Sequence, residues 1–539
     1  MSQDIQTPTG GPGPDNPSAD GDKLDAAVLK VAGVVVLGAI MSILDITVVS
    51  VALPTFQTEF DATYAEVAWT MTAYTLALAT VIPLTGWAAD RFGTKRLYMT
   101  ALALFTAGSV LCSLAGGITE LVAFRVVQGL GGGMLMPLGM TIMTRAAGPH
   151  RIGRVMAVLG IPMLLGPIAG PILGGWLIES FTWHWIFLIN LPIGIIALVY
   201  AWRVLPKDSP EPSESFDWTG MILLSPGLAL FLYGVSSIPE EGTIWATKVL
   251  VTAAIGAVLI VAFVFHAFRP EHPLVDLRLF KHRNLTVAVI TMAFFAIAFF
   301  GASILFAAYF LQVRGESTLM AGVLLVPQGL GAMIMMPVGG ALVDRIGPGK
   351  VVLTGLVLTT VGMAGFTQVA ADTSYWLLLS ALFVMGLGMG LTMMPTMTAA
   401  LATLTDHTIA RGSTLMNIIQ QVAASIGTAV FSVVLTNQLK SGEKLGDLLQ
   451  LPPGTPSEIT DASLANAAIG SRSVPELFDM LSGAGLLQRG FAEAADAFGV
   501  AFTLATILIG LTLIPAFFLP RKRIERETEG ESQVPVVMH

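Results

Sequence analysis

The chain has 539 residues, 54% hydrophobic and 12% charged, against about 25% charged in a typical soluble domain. That composition excludes an ordinary soluble enzyme. The single cysteine, Cys112, excludes a disulfide scaffold, and a formal net charge of −8 without a long basic run speaks against a nucleic-acid binder.

Residues 1–27 are polar and rich in Pro, Gly, Asp and Ser, and are expected to form a disordered cytoplasmic tail. The first apolar block, Val28 to Leu53, is too long for the core of a signal peptide. Similar blocks recur near 65–86, 97–117, 119–144, 153–178, 183–203, 218–237, 245–268, 285–312, 318–343, 350–371, 374–404, 412–437 and 497–519. Each approaches the ~20 residues that cross a hydrocarbon core of ~30 Å. In lipid a helix satisfies its own backbone, so an all-α integral membrane protein with fourteen transmembrane helices is expected. The alternating pattern of a membrane barrel is absent.

With the N-terminus in the cytoplasm, most of the 28 basic residues fall in the tails and inner loops, which sets the orientation. An even number of spans returns the C-terminal tail, 520–539, to the same side. Its Arg521-Lys522-Arg523 run reads as an anchor at the lipid headgroups. The stretch 437–496 is then an external loop broken by Pro452-Pro453, with helical periodicity from Pro475 to Phe498 that suggests an external helical cap. Arg269 to Arg283 reads as a cytoplasmic amphipathic linker.

The chain also repeats itself. Gly86-Trp-Ala-Ala-Asp90-Arg91-Phe-Gly93-Thr-Lys95-Arg96 follows the second block, and Gly340-Ala-Leu-Val-Asp344-Arg345-Ile-Gly347-Pro-Gly-Lys350 follows the tenth. The second copy places its Lys one position later. The parse is a six-helix half (28–205), two extra helices with linkers (206–284) and a second six-helix half (285–519). Two like halves with a cavity between them form an architecture in which one rocks against the other.

At these residues the chain resembles the major facilitator superfamily, and within it the fourteen-span drug:proton antiporters. The loop signature at Gly86–Arg96 carries the likeness. So do Arg125-Val-Val-Gln128-Gly129-Leu-Gly131 and Gly166-Pro-Ile-Ala-Gly170-Pro171-Ile-Leu-Gly174-Gly175. Leu44-Asp45-Ile-Thr47-Val-Val-Ser50-Val-Ala-Leu53-Pro54 and Trp183-His-Trp185-Ile-Phe187-Leu-Ile-Asn190-Leu-Pro192-Ile-Gly194 complete it. The resemblance covers about residues 30 to 520. Ser50, His184 and Ala157 depart from the residues common in that family. It implies a major facilitator fold and a proton-coupled multidrug exporter of the plasma membrane, with a loop at Asp90 that staples the halves closed on the cytoplasmic side. It also implies a marker of export direction at Gly166–Gly175.

Asp45 is the only acid well inside a predicted span, and a carboxylate there must be neutral, paired or facing water. It lies eight residues before Leu53, about 12 Å by helical rise, and Arg125 lies six residues into its span, about 9 Å. The two are level in the outer half. They form either a proton switch, broken when Asp45 is protonated, or a fixed structural ion pair. Asp90, Arg91, Lys95, Arg96, Asp344 and Arg345 serve gating or topology equally well, with basic neighbours able to meet carbonyl ends. Gly166, Gly170 and Gly174 share one helix face and permit a close helix neighbour, as do Gly129 and Gly133.

A cavity for lipophilic or cationic small molecules calls for apolar, aromatic and Met surface with few polar groups. Trp69, Tyr74, Gln128, Met136, Tyr309, Gln328, Asn417 and Gln421 are the candidates, among 25 methionines. No P-loop, HExxH, GxSxG or Cys pair occurs, and the seven histidines are scattered. No cofactor, metal site or catalytic set is expected. The expected partners are a lipophilic substrate, protons and membrane lipids, and the protein is expected to be a monomer. Export of an endogenous lipid, siderophore or peptide is the alternative transport reading; a receptor or scaffold without transport is a remote third.

Overall fold

The computed structural model describes residues 25–147, 151–208, 215–241, 243–316, 318–402, 404–405, 408–441 and 486–522. Among them the regular structure is entirely helical. The first half contains α1 (Ala26–Glu59), α2 (Tyr64–Phe92), α3 (Thr94–Ser113), α4 (Ile118–Ala147), α5 (Ile152–Ser180), α6 (Trp185–Leu188) and α7 (Asn190–Val204). Then come α8 (Trp218–Ser236), a short α9 (Ile238–Glu241) and α10 (Thr247–His266). The second half contains α11 (Arg283–Gln312), α12 (Thr318–Leu324), α13 (Val326–Ile346), α14 (Pro348–Ala364), α15 (Tyr375–Leu401), α16 (Ile409–Ser441) and α17 (Leu486–Ala516).

Twelve helices among the described residues are long and apolar enough to cross a membrane, rather than the fourteen expected. The other two predicted blocks are occupied by α5 and by α14, an apolar helix of 17 residues. Two of the twelve spans are interrupted by a single turn residue in the right-handed helical region, Ile189 between α6 and α7 and Leu325 between α12 and α13. Each break precedes a proline by two or three residues, Pro192 and Pro327, where the missing N–H leaves a carbonyl of the preceding turn without its helical partner.

The expected external cap does not stand as a separate helix in its described part. Residues 475–485 lie outside the described residues, and from Leu486 the helix runs unbroken into the last span. The linker before α11 holds only a 3₁₀ turn, Leu277–Lys281, tied down by Leu274, Val275 and Leu279 in the main core.

The sequence repeat reappears as a packing repeat. In the first half α1 packs on α5 and α7, α4 on α2 and α3, and α3 on α7. In the second half α11 packs on α16 and α17, α15 on α13 and α14, and α14 on α17. The halves meet along α5 with α13 and α2 with α16, a pairing that exchanges equivalent helices. Helices α8 and α10 pack on each other, and α8 lies against both α2 and α16. Its Ser225 hydroxyl donates to the Thr80 carbonyl of α2 at 2.7 Å.

Candidate functional site

Asp45 sits on the inward face of α1, and its side chain and that of Arg125 are 0% and 1% exposed. Arg125 Nη1 donates to Asp45 Oδ2. Gln128, one turn along α4, holds both charges: its Oε1 accepts from Arg125 Nη1 at 2.7 Å and its Nε2 donates to Asp45 Oδ1 at 2.7 Å. Nε2 also reaches Ser109 Oγ of α3 at 2.6 Å, and Asn190 Nδ2, at the start of α7, donates to the same hydroxyl at 3.0 Å. Four helices therefore converge on one carboxylate. Close approach makes this possible: a Cβ on Gly108 would lie 2.6 Å from the Gln128 backbone, and one on Gly194 would lie 2.1 Å from Thr106 Oγ1.

The guanidinium has other support. Arg125 Nε donates to the Thr70 carbonyl at 3.0 Å, and its Cζ stands 4.1 Å above the Tyr74 ring. Tyr74 is fixed in turn by Ser42, whose hydroxyl lies 3.2 Å away. A buried charge stripped of its only partner costs several kcal/mol. Here Arg125 keeps a carbonyl, an amide oxygen and an aromatic face when the carboxylate is neutralised.

Next to this centre lies the glycine face of α5. A Cβ on Gly166 would come within 2.2 Å of Ile43, one on Gly170 within 2.0 Å of Thr47 Oγ1, and one on Gly174 within 3.2 Å of Val48. All three partners are on α1, in the turns flanking Asp45. Thr47 Oγ1 donates to the Gly166 carbonyl at 3.0 Å. Gly175 has open space beside it, and Pro171 continues the same helix. Gly129 and Gly133 of α4 press in the same way on Tyr74, Ala77, Leu78 and Val81 of α2.

At the opposite end, Asp90 is two residues from the C-terminus of α2. It faces Arg145 of α4 at 3.7 Å and Arg411, in the first turn of α16, at 3.6 Å. Gly86 lies beside the Arg411 backbone and Thr414 Oγ1. The loop thus reaches across to the second half. Near Met336 and Met394 of that half, α5 has Gly160, whose Cβ would come 2.3 Å from Met336 Sδ. Every residue of α4 from Pro137 to Thr144 and of α15 from Met385 to Leu401, Leu387 apart, is buried. The halves are shut against each other at this end.

The basic residues of the loop do meet carbonyl ends. Lys95 Nζ donates to Trp202 O and Leu205 O, both at 2.7 Å. Asp208, beyond α7, answers by accepting from the first-turn amides of α3, Lys95 N at 2.8 Å and Arg96 N at 3.0 Å. The clasp complements both helix dipoles. It also requires Gly93, which sits at φ +92° and whose Cβ would fall 2.2 Å from the Asp208 carboxyl carbon. Arg91 is half-buried and the Arg96 side chain is exposed. In the second copy Asp344 is half-buried and Arg345 exposed at the end of α13, and Gly347 at φ +87° lies against the backbone of Arg521 and Lys522.

The family model of the Major Facilitator Superfamily matches residues 35–428. The chain belongs to the Major Facilitator Superfamily. Members of this superfamily are transporters, and the chain is a multi-span membrane transporter rather than an enzyme. It is 50% identical over 507 residues to the Multidrug resistance protein B homolog of Mycobacterium tuberculosis, covering 93% of this chain and 92% of the relative. It is 29% identical over 405 residues to the Multidrug export protein EmrB of Haemophilus influenzae, covering 75% and 79%. In fold it is similar to the human organic anion transporter MFSD10, with a TM-score of 0.58 at 16% identity, covering 89% of this chain and 99% of that one.

In this facilitator the expected substrate residues scatter. Tyr74 and Gln128 are fully buried and engaged with the Asp45–Arg125 centre, so they do not offer free polar atoms to a cavity. Tyr309 is enclosed in the second half among Phe310 and Phe498, with its hydroxyl on the Ala370 carbonyl at 2.8 Å. Trp69 is 41% exposed and stacks on Tyr233 of α8. Met136, Gln328, Asn417 and Gln421 are half-buried. Of these, Asn417 bridges the halves, its Nδ2 3.2 Å from Met140 Sδ. Ser109, Thr70 and Ser42 of the buried centre, together with Asp208 and Arg411, were not singled out from the sequence, and Asn190 entered only within the motif that carries the family resemblance. No group of three metal-ligating side chains occurs among the described residues.

Proposed function

We propose that the chain is a proton-coupled multidrug exporter that moves lipophilic or cationic compounds out across the plasma membrane by alternating access. Fourteen spans, both termini in the cytoplasm, and two six-helix halves (28–205 and 285–519) separated by the extra helices of 206–284 complete this reading. The observation that carries it is the buried Asp45, paired with an Arg125 that has further partners of its own. The 50% identical relative, by its name a multidrug resistance protein, supports the choice of substrate class.

In this scheme the Asp90 end faces the cytoplasm and is the closed gate. Asp45 takes up a proton when the outer side is open, its bond to Arg125 loosens, and α1 shifts along the glycine face of α5. The halves then part at Arg411 and Asn417 to admit substrate from the cytoplasm. Binding of substrate favours release of the proton inward, and the pair re-forms.

Everted membrane vesicles loaded with the chain test this. Wild type should accumulate a fluorescent lipophilic cation such as ethidium when the vesicle interior is acidified. Asp45→Asn, present in the membrane at the same level, should not. Equal accumulation by both would remove Asp45 from the coupling, and no accumulation by the wild type for any compound of the class would remove the substrate assignment.

A further inference from the structure

At the Asp90 end the first half contains a groove that the transport scheme does not use. A cavity of about 310 Å³ lies between the ends of α1, α2, α4 and α7, lined by Asp90, Lys95, Arg145, Lys207 and Asp208 among others. A second hollow of about 500 Å³ adjoins it between α1 and α7, bordered by Lys30 and Arg203. Val31, Ala146 and Pro206 line both, so the two form one channel with an apolar floor.

Its charges divide into two sets. Asp90, Lys95, Arg145 and Asp208 are satisfied by protein: the acids by Arg145, Arg411 and the α3 amides, Lys95 by the α7 carbonyls. Lys30, Arg203 and Lys207 make no hydrogen bond or ion pair with any described residue. Three positive side chains without a partner among the described residues therefore border a hollow that already contains balanced acids. The level in the membrane is marked independently. Trp202, 63% exposed in the last turn of α7, and Trp218, 70% exposed at the start of α8, stand at this end, and exposed tryptophans collect at the headgroup layer.

We propose that this groove binds a phosphate-bearing anion, the headgroup of an anionic phospholipid, with Lys30, Arg203 and Lys207 supplying the charge and Val28 and Val204 the wall for an acyl chain. Val28 and Val204 line the outer hollow. The phosphate would sit against Pro206 and Lys207, in the segment that delivers Asp208 to the start of α3. Occupancy therefore steadies the Lys95–Asp208 clasp beside the Asp90 loop. The proposal is independent of proton coupling.

The full chain is purified into nanodiscs of phosphatidylcholine with a minor fraction of phosphatidylglycerol, and the lipid that remains bound after delipidation is measured by native mass spectrometry. Wild type and Lys350→Gln, an exposed basic residue of the second half at the same end, should each retain phosphatidylglycerol in preference to phosphatidylcholine. The variant K30Q/R203Q/K207Q should lose that preference on the order of a hundredfold, given the usual contribution of each basic residue near an anionic surface. A second arm adds inorganic phosphate to detergent-solubilised protein and follows thermal unfolding. Stabilisation of wild type but not of the triple variant places the phosphate itself in the groove. Its absence, with lipid retention intact, assigns the site to the whole lipid. Equal behaviour of wild type and triple variant in both arms overturns the proposal; so does an equal loss in Lys350→Gln.

Discussion

Two aspartates define the two ends of the first half, and they are held in opposite ways. Asp45 is sealed, bonded directly to Arg125 and Gln128, and all its partners belong to its own half. Asp90 is 11% exposed, its two basic partners stand at 3.6 and 3.7 Å, and one of them, Arg411, belongs to the other half. In the proposed rocking motion the first set of contacts stays intact and the contact with Arg411 is broken in every cycle. The Asp90 contacts are longer than the Asp45 contact and less completely sealed, with the Asp90 and Arg411 side chains 11% and 13% exposed. Separating the charges of a dry pair leaves each buried without its partner, which is strongly destabilising. In the proposed scheme the tight contact is switched by protonation and the longer one is parted by movement of the halves.

The comparison can be broken or sharpened experimentally. The largest effect should come from Arg125→Leu, which leaves Asp45 buried without its cation. Loss of transport is expected together with a destabilisation of roughly 3–5 kcal/mol, read as a fall in the thermal midpoint of the purified chain. Gly170→Val should come next. The added carbons meet Thr47 at a distance no real contact reaches, and overpacking of this kind costs about 1–3 kcal/mol. Because the wedge forces α1 away from α5 beside Asp45, efflux should fall more than stability does. Gly93→Ala should cost about 1–3 kcal/mol through the left-handed backbone and the Asp208 contact together, and the double variant Gly93→Ala/Asp208→Ala should recover part of it. Asp90→Asn should be the mildest. The amide keeps the shape of the side chain and removes only its charge, so the loss of stability should be smaller than for Arg125→Leu, while the protein becomes leaky, seen as substrate crossing without a pH gradient. If Asp90→Asn destabilised the chain as much as Arg125→Leu, the contrast between the two ends would not stand.

How much of this was legible in the sequence varies with the kind of interaction. Helical rise alone put Asp45 and Arg125 at one depth, and the structure brings them into contact. The four-residue glycine spacing announced a close helix neighbour for α5, though not that the neighbour is α1. Ser109 gave no signal, because a hydroxyl in a helix usually bonds its own backbone, as Thr106 does to the Leu102 carbonyl, and Asn190 was visible only as a position of the motif that carries the resemblance. Asp208 was invisible for another reason: it lies 113 residues from the amide it caps, and only the folded half brings α7 to the start of α3. The breaks before Pro192 and Pro327 were readable in principle, since proline within an apolar block removes a helical bond. Hydropathy averaged over a span hides them.

The central claim is that the proton which drives transport is carried by Asp45. Substrate-induced proton release settles it most directly. Purified wild-type chain in weakly buffered detergent solution receives a saturating lipophilic cation, and the pH change is read with an indicator dye. The account predicts a release of protons that disappears in Asp45→Asn and persists in Asp90→Asn. Undiminished release from Asp45→Asn, in protein that still binds the cation, would contradict it.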